Sequence, residues 1–345
     1  MRALQLRAFG VAAEFREVPE PEPGPGAVLV RVGGAGACHS DLHLMYDFAE
    51  GQLPWTPPFT LGHENAGWIE ALGPGVEHLE VGAPVAVYGP WGCGVCRRCR
   101  SGMENYCERA SEIPAAGGGL GRDGGMAPLM LVPHARHVVP LESLSPFAAA
   151  PLTDAGLTPY HAIKRSLPIL DAGSTTVVIG AGGLGHMAVQ ILAACCATTV
   201  IAVDRSPDAL SLVQEVGAHH AVLADDHSSA LIDDLTSGRG VDLVLDLVGS
   251  NDTLALGATV ARPLGHVTLV GIAGGSLPVS FFSPRYEVSV ASTYWGSLPE
   301  LMEVLALAER GMIHAHAQEF SLDDAPAAYE EMREGRLRGR AVIVP

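Results

Sequence analysis

Hydrophobic and polar positions follow two rhythms along the chain, and the change between them comes near Leu157. Up to about residue 150 the apolar residues fall in short alternating runs, such as AVLVRV (27–32) and APVAVY (83–88), set among Gly- and Pro-rich segments. A period of two predicts half-buried strands, and the breakers between them leave no need for a long helix. From about Leu157 solid apolar runs alternate with helical stretches: TVVIG, LGHMAVQILAA, TVIAVD, SPDALSLVQEVG, VDLVLDLVG and HVTLVGI. That alternation predicts βαβ units around a parallel sheet covered on both faces. Beyond about residue 290 it stops, and the final GRAVIVP reads as a strand returning to the first region. The α/β part is therefore expected to be inserted in the other. The longest apolar stretch, Val177 to Val203, is broken by Gly180, Gly182, Gly183, Gly185, His186, Gln190, Thr198 and Thr199. Strand, glycine turn, helix and strand explain it better than a membrane span.

Length and composition narrow the function. The 345 residues suit two domains with a core each. A formal charge of −17 repels phosphate backbones and anionic lipid, which argues against nucleic acid or a membrane as partner. Only 6% of residues are aromatic and 17% charged, while mean hydropathy is +0.24. That balance predicts apolar surface hidden between subunits, in a homodimer or homotetramer. The opening MRALQLRAFG lacks the apolar core and cleavage site of a secretory signal, so a cytoplasmic location is expected. In a reducing compartment, seven cysteines read first as metal ligands.

Four of them, Cys93, Cys96, Cys99 and Cys107, lie within fifteen residues, with Gly92, Gly94 and Gly102 to let the backbone wrap. Four thiolates so placed can close a tetrahedron around Zn²⁺ and leave no open position, which makes the metal structural. A ferredoxin-type cluster fits less well, since Cys107 follows Cys99 too late and precedes Glu108 rather than Pro. Cys195 and Cys196 lie on a helical run and are expected to be buried small hydrophobes.

Gly180-Ala-Gly182-Gly183-Leu184-Gly185 follows the apolar run TVVI and opens a helix. Glycines there allow a tight turn and let a pyrophosphate approach the backbone at a helix N-terminus. Asp204 ends the next apolar run nineteen residues past Gly185, where a carboxylate accepts ribose hydroxyls and repels a 2′-phosphate. NAD is thus expected over NADP. Arg205 is expected to cover the adenine face, although NADP sites use a neighbouring Arg.

A third set is scattered: Cys38-His39-Ser40-Asp41, Gly62-His63-Glu64, and Thr153-Asp154-Ala155-Gly156. Spacing does not say that these meet. One thiolate, one imidazole and one carboxylate are nonetheless the three-ligand set that leaves zinc an open position.

Over essentially its whole length the chain resembles the zinc-containing medium-chain alcohol dehydrogenases, most of all the bacterial secondary alcohol dehydrogenases. The motifs are those quoted, together with the terminal Arg338-Gly-Arg340. The resemblance implies a Rossmann-type doubly wound parallel sheet at 154–289. It also implies a strand-rich GroES-like catalytic domain, with a structural zinc lobe, at 1–153 and 290–345. It implies two zinc ions per subunit, with Cys38, His63 and Asp154 on the catalytic one and Glu64 beside it as an occasional ligand. Many family members carry Cys where Asp154 stands; the harder oxygen ligand makes the zinc a somewhat stronger Lewis acid. The implied reaction is hydride transfer between a zinc-bound alkoxide and nicotinamide, converting secondary and some primary alcohols to ketones or aldehydes. Ser40 and then His43 are implied as the path of the proton. Asp41 is similar to the carboxylate that orients the ligating His63. His39 and Arg340 resemble positions that meet the pyrophosphate; Thr158 would lie near the nicotinamide, flanked by Val270, Gly271 and Ile272. Trp55, Phe281, Phe282, Tyr294 and Trp295 fall in segments that resemble substrate-lining and subunit-contact regions. So many aromatics suit an apolar or aryl ketone, although core packing explains any one of them as simply. Two rivals stand beside this reading: a polyol or sugar dehydrogenase of the same fold, and a non-catalytic NAD- or zinc-binding protein.

Overall fold

The computed structural model of the protein describes residues 1–345, which divide into two compact units. The first comprises Met1–Leu157, Gly296–Gly311 and Ala315–Pro345, and the second Thr158–Trp295 with Met312–His314.

In the first unit the central strand Val28–Ala37 pairs antiparallel with Glu64–Leu72, Leu129–Val132 and Arg340–Val344. Ala317–Ser321 adds in parallel to Arg340–Val344, and Pro84–Val87 and Val138–Pro140 extend the other side. The run GRAVIVP therefore does close this sheet. Inward apolar residues such as Leu4, Val30, Phe59, Ile69, Val87 and Met126 form its core. Before Leu157 the helices are short, as the Gly and Pro content predicts, and the one that matters below is His39–Tyr46; the longest helix of this unit, Leu298–Glu309, lies in its returning segment.

The second unit holds a six-stranded parallel sheet. Its order is His220–Leu223, Thr199–Asp204, Thr175–Ile179, Val241–Asp246, Ala261–Leu269, Ser289–Ser292. Counted in chain order this is 3-2-1-4-5-6, the Rossmann arrangement, whose ligands sit beyond the carboxyl ends of the strands where the order reverses. Thr175–Ile179 and Val241–Asp246 are buried at every position, as solid apolar runs between two helical layers require.

Three expectations shift. The first unit extends to Leu157, so Asp154 belongs to it rather than opening the second. The second unit runs on to Trp295 because Ser289–Ser292 hydrogen-bonds along Ala261–Leu269 as the outer strand of its sheet. Cys195 and Cys196 are half-buried rather than buried, since the helix Gly185–Cys195 ends there; the Cys196 thiol donates to the Leu192 carbonyl at 3.2 Å. No helix is long and apolar enough to cross a membrane.

Candidate active site

Three separate stretches of the first unit converge on one buried point. Ligand atoms of Cys38, His63, Glu64 and Asp154 all lie within 4.8 Å of one another. Asp154 Oδ2 stands 3.8 Å from Cys38 Sγ and 3.6 Å from His63 Nε2. Donors about 3.3–3.8 Å apart are the edges of a tetrahedron with the 2.0–2.3 Å bonds of zinc, so this set fits the ion.

Local structure explains each placement. Cys38 ends the long central strand and caps the helix His39–Tyr46, whose first turn also carries Ser40 and Asp41. The Cys38 amide donates to Asp41 Oδ2 at 3.0 Å, which holds strand end and helix start together. Gly62, at φ +93°, makes the turn that points His63 inward, and a Cβ there would press on Met126. Gly36 faces Glu64 across the strand pair; its own Cβ would lie 1.9 Å from Glu64 Oε2, so only glycine lets that carboxylate fold back over the sheet. Asp154 follows a short 3₁₀ turn, Ala150–Thr153.

Around these ligands stands a second ring. Asp41 Oδ1 lies 3.1 Å from His63 Nδ1, leaving Nε2 to face Cys38 and Asp154. Burial by itself lowers the His63 pKa, but the Asp41 charge and the Asp154, Asp41 and Cys38 hydrogen bonds outweigh it and raise it well above normal. Ser40 Oγ is 3.3 Å from His63 Nε2, and His43, half-buried, meets Asp47 Oδ2 through Nδ1 at 2.5 Å.

The four-cysteine lobe is the other cluster. Its sulfurs also lie within 4.8 Å of one another, with Cys99 Sγ 3.4 Å from Cys96 Sγ and 3.8 Å from Cys93 Sγ. Backbone amides serve the sulfurs: Cys96 N donates to Cys93, Cys99 N to Cys96, and Cys93 N to Cys107, each at 3.4 Å. The amide of Cys99 above all draws the Cys96 thiol down to about 6, so it is a thiolate at neutral pH. Sequence reasoning missed Glu104, which sits inside the Cys99–Cys107 spacing. Its buried carboxylate accepts from Gly92 N, Arg136 Nε at 2.7 Å and His137 Nε2 at 3.0 Å, tying the lobe to the residues before the strand Val138–Pro140.

In the second unit the strand Thr175–Ile179 turns at Gly180, φ +94°, into the helix Gly185–Cys195. A Cβ on Gly185 would lie 2.0 Å from the Gly180 carbonyl, whereas one on Gly182 would meet nothing within 4 Å. The turn is tight where it must close and open where a pyrophosphate needs room, so the loop fits a dinucleotide. Asp204 Oδ2 accepts from Ala181 N at 2.6 Å, and Oδ1 from Ser206 N at 2.8 Å. Those bonds pin the carboxylate beside the loop with acceptor capacity left over.

Comparison with known proteins fits this pairing of units. Residues 24–143 match the alcohol dehydrogenase GroES-like domain, and residues 183–310 match the zinc-binding dehydrogenase family. A D-arabinose 1-dehydrogenase (NADP(+)) of Saccharolobus solfataricus is 37% identical, over 100% of this chain and 97% of that protein. An NAD-dependent alcohol dehydrogenase of Sulfurisphaera tokodaii is 35% identical over 100% of both. The chain belongs to the zinc-dependent medium-chain alcohol dehydrogenases. The crystal structure of an Aeropyrum pernix alcohol dehydrogenase, 35% identical, superposes over 100% of both chains with a TM-score of 0.93. The protein is accordingly an oxidoreductase of a family whose members use zinc and a nicotinamide cofactor.

Other residues singled out by that resemblance lie as follows. The resemblance sets Arg340 at the pyrophosphate; its guanidinium is buried and grips both oxygens of Glu64, through Nε at 2.9 Å and through Nη2. Arg340 opens the strand that runs beside Ala37, and Glu64 opens the strand on that strand's other side, so the two meet at its end. A buried carboxylate needs such a partner. Burial pushes the Glu64 carboxyl up to about 7 even against the opposing pull of Arg340. His39 and Arg205 are exposed, and Thr158 is buried at the start of the helix Leu157–Ser166. Val270, Gly271 and Ile272 follow the carboxyl end of Ala261–Leu269.

The aromatics expected in the substrate pocket differ in their surroundings. Trp55 packs into the first unit's core, its ring edge-on to Phe59 at 5.6 Å. Phe282 is 83% exposed and Phe281 76%; nothing packs over the loop ahead of the outer strand, so these rings meet each other on open surface. Tyr294 is exposed, and Trp295 is buried in the second unit.

Proposed function

We propose that the protein interconverts a small secondary alcohol and its ketone, with NAD(H) as the hydride carrier. The observation that carries this is the convergence of Cys38, His63 and Asp154, one thiolate, one imidazole and one carboxylate, in a buried cluster. Zinc bound by these three would supply a Lewis acid for the substrate oxygen. Asp41 keeps His63 in the tautomer that presents Nε2 to the metal. Ser40, beside Nε2, would accept the substrate's hydroxyl proton as it gives up its own, and that proton would pass on by way of His43 to water. Arg340 holds Glu64 back from the ligand set, leaving it as a reserve ligand for exchange. A second zinc in the cysteine lobe is structural. The pinned Asp204 carboxylate accepts the ribose hydroxyls, and Thr158, Val270 and Ile272 border the nicotinamide.

A second reading has its own support. The D-arabinose relative uses NADP(+), and exposed Arg205 beside Asp204 offers a partner for a 2′-phosphate. One experiment separates the readings: zinc per chain, and initial rates with NADH and NADPH on 2-butanone, acetophenone and an aldehyde, with NAD and NADP on arabinose. Two zincs with NADH-linked ketone reduction support the proposal. Turnover of arabinose with NADP alone promotes the sugar dehydrogenase, and no turnover at all points to a binding protein.

We also propose a homo-oligomer built on the second unit. Phe281, Phe282, Val279 and Tyr286 are all exposed just ahead of the outer strand Ser289–Ser292, whose free edge can pair with a second copy. Light scattering that gives a monomer mass at micromolar concentration contradicts this.

A further inference from the structure

The Asp41 carboxylate that orients His63 is fully buried, and three donors hold it. His63 Nδ1 meets Oδ1 at 3.1 Å, while the Cys38 amide meets Oδ2 at 3.0 Å. The third donor comes from far along the chain: the phenol of Tyr329 gives its hydrogen to Oδ2 at 2.8 Å. Two of these donors belong to residues of the metal set, so Asp41 spans two ligands at once, and any rotation of its carboxylate moves both. Tyr329 alone fixes that carboxylate from outside. It lies on the helix Ala325–Arg333, which packs on His39–Tyr46, and its ring is buried as part of the first unit's core. Met126 Sδ lies 3.2 Å from the same hydroxyl, but a thioether is a weak acceptor beside a carboxylate.

We propose that Tyr329 is a positioning residue for the catalytic metal: its hydroxyl sets the Asp41 carboxylate, and through it the His63 ring and the Cys38 backbone. This rests on the metal reading of Cys38, His63 and Asp154. With the hydroxyl gone, Oδ2 keeps only the Cys38 amide, and the carboxylate is free to turn toward it and away from His63. The ring then loses the partner that holds its Nε2 at the metal. Outer partners of metal-bound histidines change metal affinity by about 10–100-fold, and the low end of that range is expected one bond further out.

The test compares Tyr329→Phe, which removes only the hydroxyl, with Tyr329→Leu, which removes the ring as well. Zinc-loaded wild type and both variants are challenged with a chelator, and release of each zinc is followed; the zinc of the cysteine lobe is an internal reference. The inference predicts that Tyr329→Phe releases the non-lobe zinc about tenfold faster, with lobe release and melting midpoint unchanged. Its kcat falls while KM for NADH stays the same. Tyr329→Leu shows the same zinc release together with a lower midpoint. If Tyr329→Phe keeps its zinc and turns over like wild type while only Tyr329→Leu is impaired, the tyrosine merely fills space and the inference is overturned. If wild type holds zinc in the lobe alone, the metal reading itself has failed, a result distinct from the first.

Discussion

The two candidate metal clusters of the first unit are built in opposite ways. The lobe takes its four sulfurs from residues 93 to 107 and settles them with its own backbone amides. The cluster proposed as catalytic gathers Cys38, His63 and Asp154 from three distant stretches and settles them with the buried side chains of Asp41, Tyr329 and Arg340. A local loop can place soft ligands by wrapping alone, and four thiolates saturate the ion. A site that must keep one position open needs a mixed ligand set and a rigid surround to hold it. Within the lobe, Glu104 ties the loop to Arg136 and His137 and so fixes where it sits rather than how its sulfurs point.

That contrast can be broken by single changes. The largest effect is expected from His63→Ala, which should cut kcat/KM by about a thousand-fold or more, the several kcal/mol a Lewis acid supplies. Zinc analysis should then show the lobe ion alone. Cys96→Ser should do the reverse, with the lobe zinc lost, the melting midpoint lowered and the catalytic zinc kept. Equal loss of both ions from either variant would mean that the clusters are not independent.

Next in size is Glu104→Gln. Burial raises the Glu104 carboxyl, but His137 and Arg136 overcome that and hold it at about 2, below its ordinary 4.5. Stability from this group is therefore present above pH 4.5 and lost as the pH falls toward 2. The variant should be about 2–4 kcal/mol less stable at neutral pH, and denaturant titrations should show the gap closing in acid. A gap that stays constant down to pH 3 would contradict the assignment. The smallest effect is expected from His43→Ala, roughly a three- to tenfold loss of kcat confined to pH near 7 and below. An unchanged pH–rate profile would remove His43 from the proton path.

The same contrast explains what could be read from the sequence. Cys93 to Cys107 and Gly180 to Gly185 are short motifs whose chemistry is complete within a few residues, and the alternation of apolar runs foretold the parallel sheet that carries the second. The meeting of Cys38, His63 and Asp154 could not be derived from spacing, because strand pairing brings them together; family resemblance supplied it. The Arg340–Glu64 pair was hidden for the same reason: the two are 276 residues apart, and only the strand order makes them neighbours. Tyr329 left no signal at all, being one apolar position on an amphipathic helix. Phe282 lies exposed on the single chain, and its sequence position alone did not separate a substrate-lining role from a subunit contact.

Anomalous diffraction at the zinc edge, from crystals of the zinc-loaded protein, tests the central claim most directly. The expected map has two peaks per chain, one amid the four lobe sulfurs and one in bonding contact with Cys38 Sγ, His63 Nε2 and Asp154 Oδ2. A map with the lobe peak alone, or with the second ion held elsewhere, would contradict the proposed chemistry.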